Sequence, residues 1–169
     1  MTIIPDLSDL LIEQVSVTNE VTITVRAASP IAPCPCCGTI SKRIQSRYTR
    51  TLHDLPASGR PVHLVVRVRR FFCRESTCSR KIFAERFPSL TLPRVQFTLR
   101  LQEALRDLGF VSGGEAGARL GERLSIPGSP DTILRLVKGA QLPAACAPRV
   151  VGIDDWCATR SRMCSCKDS

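Results

Sequence analysis

Cys34-Pro35-Cys36-Cys37-Gly38, followed across an arginine-rich stretch by Cys73-Arg74-Glu75-Ser76-Thr77-Cys78, decides how this chain is read. Cys34 and Cys37 stand two residues apart and are closed by a glycine, the spacing with which a chain wraps half of a tetrahedral metal site. Gly38 matters because a backbone near positive φ lets amides turn back toward the sulfurs. Cys73 and Cys78 supply the other half, so the expected ligand set is Cys34, Cys37, Cys73 and Cys78 around a structural Zn²⁺. The bland alternative is four small apolar core residues, which free cysteines often are. A proline inside the first loop and a glycine after it are hard to explain by packing alone. Cys36 lies between ligands and is read as a bystander. His53 and His63 offer nitrogens, but four sulfurs already complete the shell. Ligand type does not fix the metal, and a rubredoxin-type iron centre for electron transfer uses the same sulfurs. The heavy basic charge disfavours that reading.

Outward from the cysteines, charge is uneven. The chain has 169 residues and a net charge of +9. Residues 34–100 hold 14 Lys/Arg against three acids, more than the whole net charge. Residues 1–33 are acidic and residues 101–169 nearly balanced. A basic surface concentrated on one module points to a polyanion partner, most often nucleic acid. Arg43, Arg47, Arg50, Arg67, Arg69 and Arg70 are the candidate phosphate contacts. Tyr48 and the five phenylalanines of the segment fit a small core better than a stacking platform. No apolar run reaches membrane-spanning length. The acidic N-terminus lacks the features of a secretory signal. The chain is therefore expected in the cytoplasm, away from membranes, and an odd count of nine cysteines argues against a disulfide framework.

Period-two alternation predicts a β-hairpin over 10–27 within an N-terminal unit, 1–33. Strands at 44–50 and 62–72, separated by turns at 53–56 and 58–61, fall between the two cysteine loops. Loop, two strands, loop is the layout of a zinc ribbon, placed at 34–90. Beyond it the period becomes 3.6. Leu99, Leu101, Leu105 and Leu108 give a helix stopped by Gly109, and 115–124 gives a second. Ser129 is a good N-cap with Pro130 at the first helical position, so a third helix is expected over 130–138. Three short helices within 94–140, the last two joined by a tight turn, match a helix-turn-helix unit. Thr132, Arg135 and Lys138 would face DNA from the last helix. A Pro/Ala-rich linker covers 141–149. Val150 to Asp154 is a short apolar strand ending in a carboxylate, within a last unit at 150–169. The expected class is α+β. Cys146, Cys157, Cys164 and Cys166 have no assigned role.

Over roughly 30–156 the sequence resembles the ISL-three family of bacterial insertion-sequence transposases. The resemblance rests on CPCCG at 34–38, SRYTRTL at 46–52, DLP at 54–56, RVRRFFC at 67–73 with Cys78, and FAERF at 83–87. AGARLG at 116–121, SPDTILRL at 129–136 and VGIDDW at 151–156 extend it. It implies a zinc-binding domain, a helix-turn-helix and the first strand of an RNase H-like catalytic domain. Asp154 is then similar to the first of three carboxylates that hold two Mg²⁺ ions in full-length relatives. This sequence ends fifteen residues after Asp154 in CATRSRMCSCKDS, which resembles no continuation of that domain. A frameshift or truncation near residue 157 is the expectation, with no catalysis by Asp154 alone. The implied activity is binding of double-stranded DNA at the terminal inverted repeats of an element, with self-association or association with an intact transposase. A stand-alone zinc-ribbon transcription regulator is the second reading. The VGIDDW segment, which a repressor does not need, tells against it.

Overall fold

The computed structural model describes residues 9–141. Asp154, Cys146, Cys157, Cys164 and Cys166 lie outside the described residues, as do the expected strand at 150–154 and nearly all of the linker.

The longest strand shows why a sheet forms. In β6 (Arg60–Phe72) Val62, Leu64, Val66 and Val68 are buried and the residues between them face outward. That alternation puts every second side chain on one face. β5 (Ile44–Ala57) pairs antiparallel to β6 through a Ser58-Gly59 turn with both residues at positive φ, the geometry that matches strand twist in a two-residue hairpin. β5 is longer than the pattern suggests. His53 and Asp54, read as part of a turn, are paired with His63 and Val62. Pro56 is accommodated where the register shifts between Asp54 and Ala57.

The hairpin of β1 (Leu10–Val17) and β2 (Val21–Ala27) belongs to the same sheet. β2 lies parallel to β6, with Ile23 opposite Leu64 and Val25 opposite Val66. The order is β1-β2-β6-β5, and β7 (Ile82–Ala84) adds to the end of β6. A second sheet consists of β3 (Ala32–Pro33) and β4 (Ile40–Ser41). Leu10, Ile23, Val25, Leu52, Leu64, Val66, Val68 and Leu90 form the core on one face of the large sheet.

The expected three-helix helix-turn-helix unit is overturned: the described residues hold two helices beside a five-stranded sheet. α1 runs from Leu99 to Arg123 and leaves helical geometry at Gly113 (φ 74°, ψ −175°). α2 spans Pro130–Lys138. Gly109, taken as a stop, has a different role. A Cβ there would come 2.5 Å from Val137 Cγ2 and 2.6 Å from Ile133 Cγ2, so Gly109, like Gly114 against Leu134, is a close contact that lets α2 lie against α1. The architecture is therefore β-rich, with a helical pair attached to a sheet.

That attachment is polar as well as apolar. Thr98 caps α1 by accepting from Leu101 N, and its hydroxyl donates to Asp54 Oδ1 at 2.7 Å. Asp54 also accepts from Arg100 Nε at 2.7 Å, Arg100 Nη2 at 2.6 Å and Leu55 N at 2.9 Å. Leu101, Leu105 and Ile133 close a separate core with Leu55 and Phe97.

Candidate metal centre and basic surface

The first cysteine loop is the turn of the β3–β4 hairpin. Cys34 N donates to Thr39 O at 2.9 Å, Gly38 N to Cys34 O at 2.8 Å, and Gly38 adopts φ 76°. The second loop connects β6 to β7: Cys73 N donates to Lys81 O at 2.8 Å, and Cys78 N to Glu75 O at 3.3 Å. Ser41 Oγ donates to Phe72 O at 2.7 Å and ties the two loops together. Phe71 and Phe83 stack below them at 5.8 Å, within a small core shared with Ala32, Cys34, Cys73 and Cys78.

This scaffold brings Cys34, Cys37, Cys73 and Cys78 together, with all four sulfurs within 4.8 Å of one another. Cys37 Sγ lies 3.6 Å from Cys73 Sγ, and Cys34 Sγ 4.0 Å from Cys78 Sγ. A disulfide needs about 2.05 Å, so these are not disulfides. Four sulfurs about 2.3 Å from one zinc stand about 3.8 Å apart in a tetrahedron; the Cys37–Cys73 and Cys34–Cys78 separations bracket that value, and no pair lies beyond 4.8 Å.

Proton affinities within the cluster diverge. Hydrogen bonds from the Thr39 side chain and backbone hold the Cys37 thiol at about 6. Cys78 receives a backbone hydrogen bond from Arg80, but burial and neighbouring sulfurs push it up to about 12. Cys73 is lowered by the Glu75 backbone and raised by more than that by burial and by Cys37 and Cys34. Sulfurs this close cannot all ionise without a cation between them, and a divalent ion supplies that charge. The donor set therefore fits structural zinc held by these four residues.

Cys36 is exposed, with its Sγ 3.9 Å from Ser79 Oγ. His53 and His63 stack edge to face at 4.9 Å on β5 and β6, and His63 Nε2 lies 3.2 Å from Glu20 Oε2. Burial and the charge of His63 lower the His53 imidazole below its usual range, while Glu20 acts in the opposite sense.

The six candidate arginines do not share one surface. Arg69 is committed to the fold: it grips Glu85 through Nε at 3.1 Å and Nη2 at 2.6 Å and donates to Ser29 O. Arg67 Nε lies 2.9 Å from Glu13, which also binds Arg26 at 3.1 Å. Arg47 is exposed on that same face. Arg43 covers Phe72 at 4.9 Å, and Arg70 covers Tyr48 at 5.1 Å. The Arg50 guanidinium donates to Val95 O. On α2, Arg135 and Lys138 are exposed, and Thr132 is drawn into the Ser129 cap with 2.9 Å between their hydroxyl oxygens.

Three basic residues escaped the sequence reading. Arg80, Arg86 and Arg94 lie outside the periodic segments, where nothing in the spacing says which way a side chain points. They converge with Tyr48 and Arg50 on one groove of about 300 Å³.

No helix among the described residues is long and apolar enough to cross a membrane. No curated protein and no solved structure matches the chain. Residues 31–78, from just ahead of β3 to the last clustered cysteine, match the zinc-finger family of the transposases IS204/IS1001/IS1096/IS1165.

Proposed function

We propose that this chain is a zinc-held DNA-binding module of a transposase that recognises the terminal inverted repeats of an insertion element. The observation that carries the reading is the four-sulfur cluster, which falls wholly inside the span similar to a transposase zinc finger. The charge supports it: the segment from Cys34 to Arg100 is strongly basic and surrounds the cluster. Zinc has a structural role here. It clamps the β3–β4 turn to the β6–β7 loop and so holds the surrounding arginines in place, because metal binding supplies folding energy in small modules of this kind. The role assigned to the described residues is binding, not strand transfer.

The test is selection from fragmented genomic DNA by the purified, zinc-loaded full chain. Fragments that border repeated elements are expected to enrich. Recovery of fragments with no preference for element borders would refute the specific recognition. Elemental analysis is expected to find one zinc per chain, and a chelator should release the DNA. Retained binding after complete zinc removal would refute the metal's role.

A further inference from the structure

Among the described residues, three of the concave surfaces hold three or more arginines, and the number of arginines left without an acidic partner separates them. On the open face of the large sheet, Arg26 and Arg67 share the Glu13 carboxylate. Between α1 and α2, Arg106 pairs with Glu103, and Arg100 is held by Asp54. The third is the groove between Tyr48 and Val68 on the strands and the 86–94 loop, lined by Arg50, Arg80, Arg86 and Arg94. Its one carboxylate, Glu85, is 4 % exposed and already held by Arg69. Among the described residues no acid pairs with Arg80, Arg86 or Arg94, and all three are exposed.

The walls of this groove are pre-built. Leu90 N and Thr91 N both donate to Phe87 O at 3.0 Å, and Thr91 Oγ1 donates to Phe97 O at 2.9 Å. The Arg50 guanidinium fastens the far side of the loop through Val95 O. Arg94 sits at φ 66°, a left-handed conformation that disfavours a residue with a Cβ and persists where the surroundings impose it. Arg80 follows Cys78 by two residues, and its amide donates to that sulfur at 3.4 Å. The groove is thus anchored to the metal loop at one end.

We propose that this groove is a docking site for the phosphodiester backbone of duplex DNA, with Arg80, Arg86 and Arg94 as the phosphate contacts. The proposal rests on the DNA-binding reading above and names the surface that performs it. Guanidinium groups offer paired donors that match phosphate oxygens. Single-strand binders add exposed rings on which bases stack. Here Arg70 lies over one face of the Tyr48 ring, which is 39 % exposed, and Phe87 is half-buried, so the groove offers at most one ring beside its several guanidinium groups. That excess of charge over aromatic surface favours recognition of a duplex backbone over stacking on single-stranded bases.

The experiment is fluorescence anisotropy of labelled duplex DNA of random sequence against the zinc-loaded full chain, across a salt series. Each phosphate neutralised contributes about 0.9 to the slope of log affinity against log salt. R86Q/R94Q is expected to weaken binding about tenfold or more at low salt and to reduce the slope by about 2, with zinc content unchanged. R86K/R94K keeps the charge and should retain the wild-type slope. R119Q, on an exposed turn of α1, should change neither quantity. If the wild-type chain binds and R86Q/R94Q keeps its affinity and slope, the groove assignment is wrong while the DNA-binding reading stands. Tighter binding of single-stranded than duplex probe also overturns it. A wild-type chain that binds no duplex at low salt removes both readings together.

Discussion

Replacing Asp54 by alanine tests how the helical pair is held to the sheet. The Asp54 side chain is fully buried, and its Arg100 partner is 24 % exposed. The substitution removes an acceptor from Thr98, Leu55 and two nitrogens of Arg100. It also releases the hydroxyl that caps α1. Breaking a buried, hydrogen-bonded ion pair from one side costs about 3–5 kcal/mol. A domain of this size has about 5–15 kcal/mol in total, so Asp54→Ala should leave the protein marginal. Asp54→Asn keeps an oxygen for Thr98 and Leu55 and should lose roughly half as much. The internal control is Glu103→Ala, which removes an exposed pair at 3.4 Å and should cost at most about 0.5 kcal/mol. The assay is urea unfolding followed by circular dichroism at fixed zinc. A loss below about 1 kcal/mol for Asp54→Ala, or a loss equal to that of Glu103→Ala, would refute the role given to this pair.

Three further outcomes follow from the same geometry. Arg69→Ala should destabilise the fold by about 3 kcal/mol because Glu85 stays buried without its partner, whereas Arg47→Ala should shift the urea midpoint little; equal small effects would mean the buried pair carries no weight. Gly109→Ala should cost about 1–3 kcal/mol, since the new Cβ meets Ile133 and Val137. The opposite sign, a stabilisation of up to about 1 kcal/mol in thermal melts, would show that α2 does not pack there. In zinc-free protein the Cys37 thiol is lowered from 9.0 to about 6, so folding favours its thiolate. That contribution is complete above pH 9, fades as pH falls through 6, and predicts stability rising between those limits. Cys78, raised from 9.0 to about 12, favours folding only while protonated and predicts a decline above pH 9. Urea midpoints in reducing buffer check both limbs, and Cys37→Ser should flatten the lower one.

Local chemistry was legible wherever a residue's meaning depends on its neighbours in the chain. The alternation of Val62, Leu64, Val66 and Val68 declares a half-buried strand, and Ser129-Pro130-Asp131 declares a helix start, because both depend on backbone geometry a few residues long. The cysteine spacing likewise marked four sulfurs as candidates for one site, since a loop that folds back on a metal needs that reach. Tertiary structure decided the rest. The parallel pairing of β2 with β6 joins segments separated by a cysteine loop and a whole strand, and no periodicity encodes a partner that far away. Gly109 reads as a terminator alone and becomes a packing surface only once α2 lies against it. Arg69 and Arg86 look alike in the sequence, yet a buried carboxylate holds the first and, among the described residues, none meets the second. Whether an arginine is available to a ligand depends on which acids the fold brings beside it, and that proximity exists only in three dimensions.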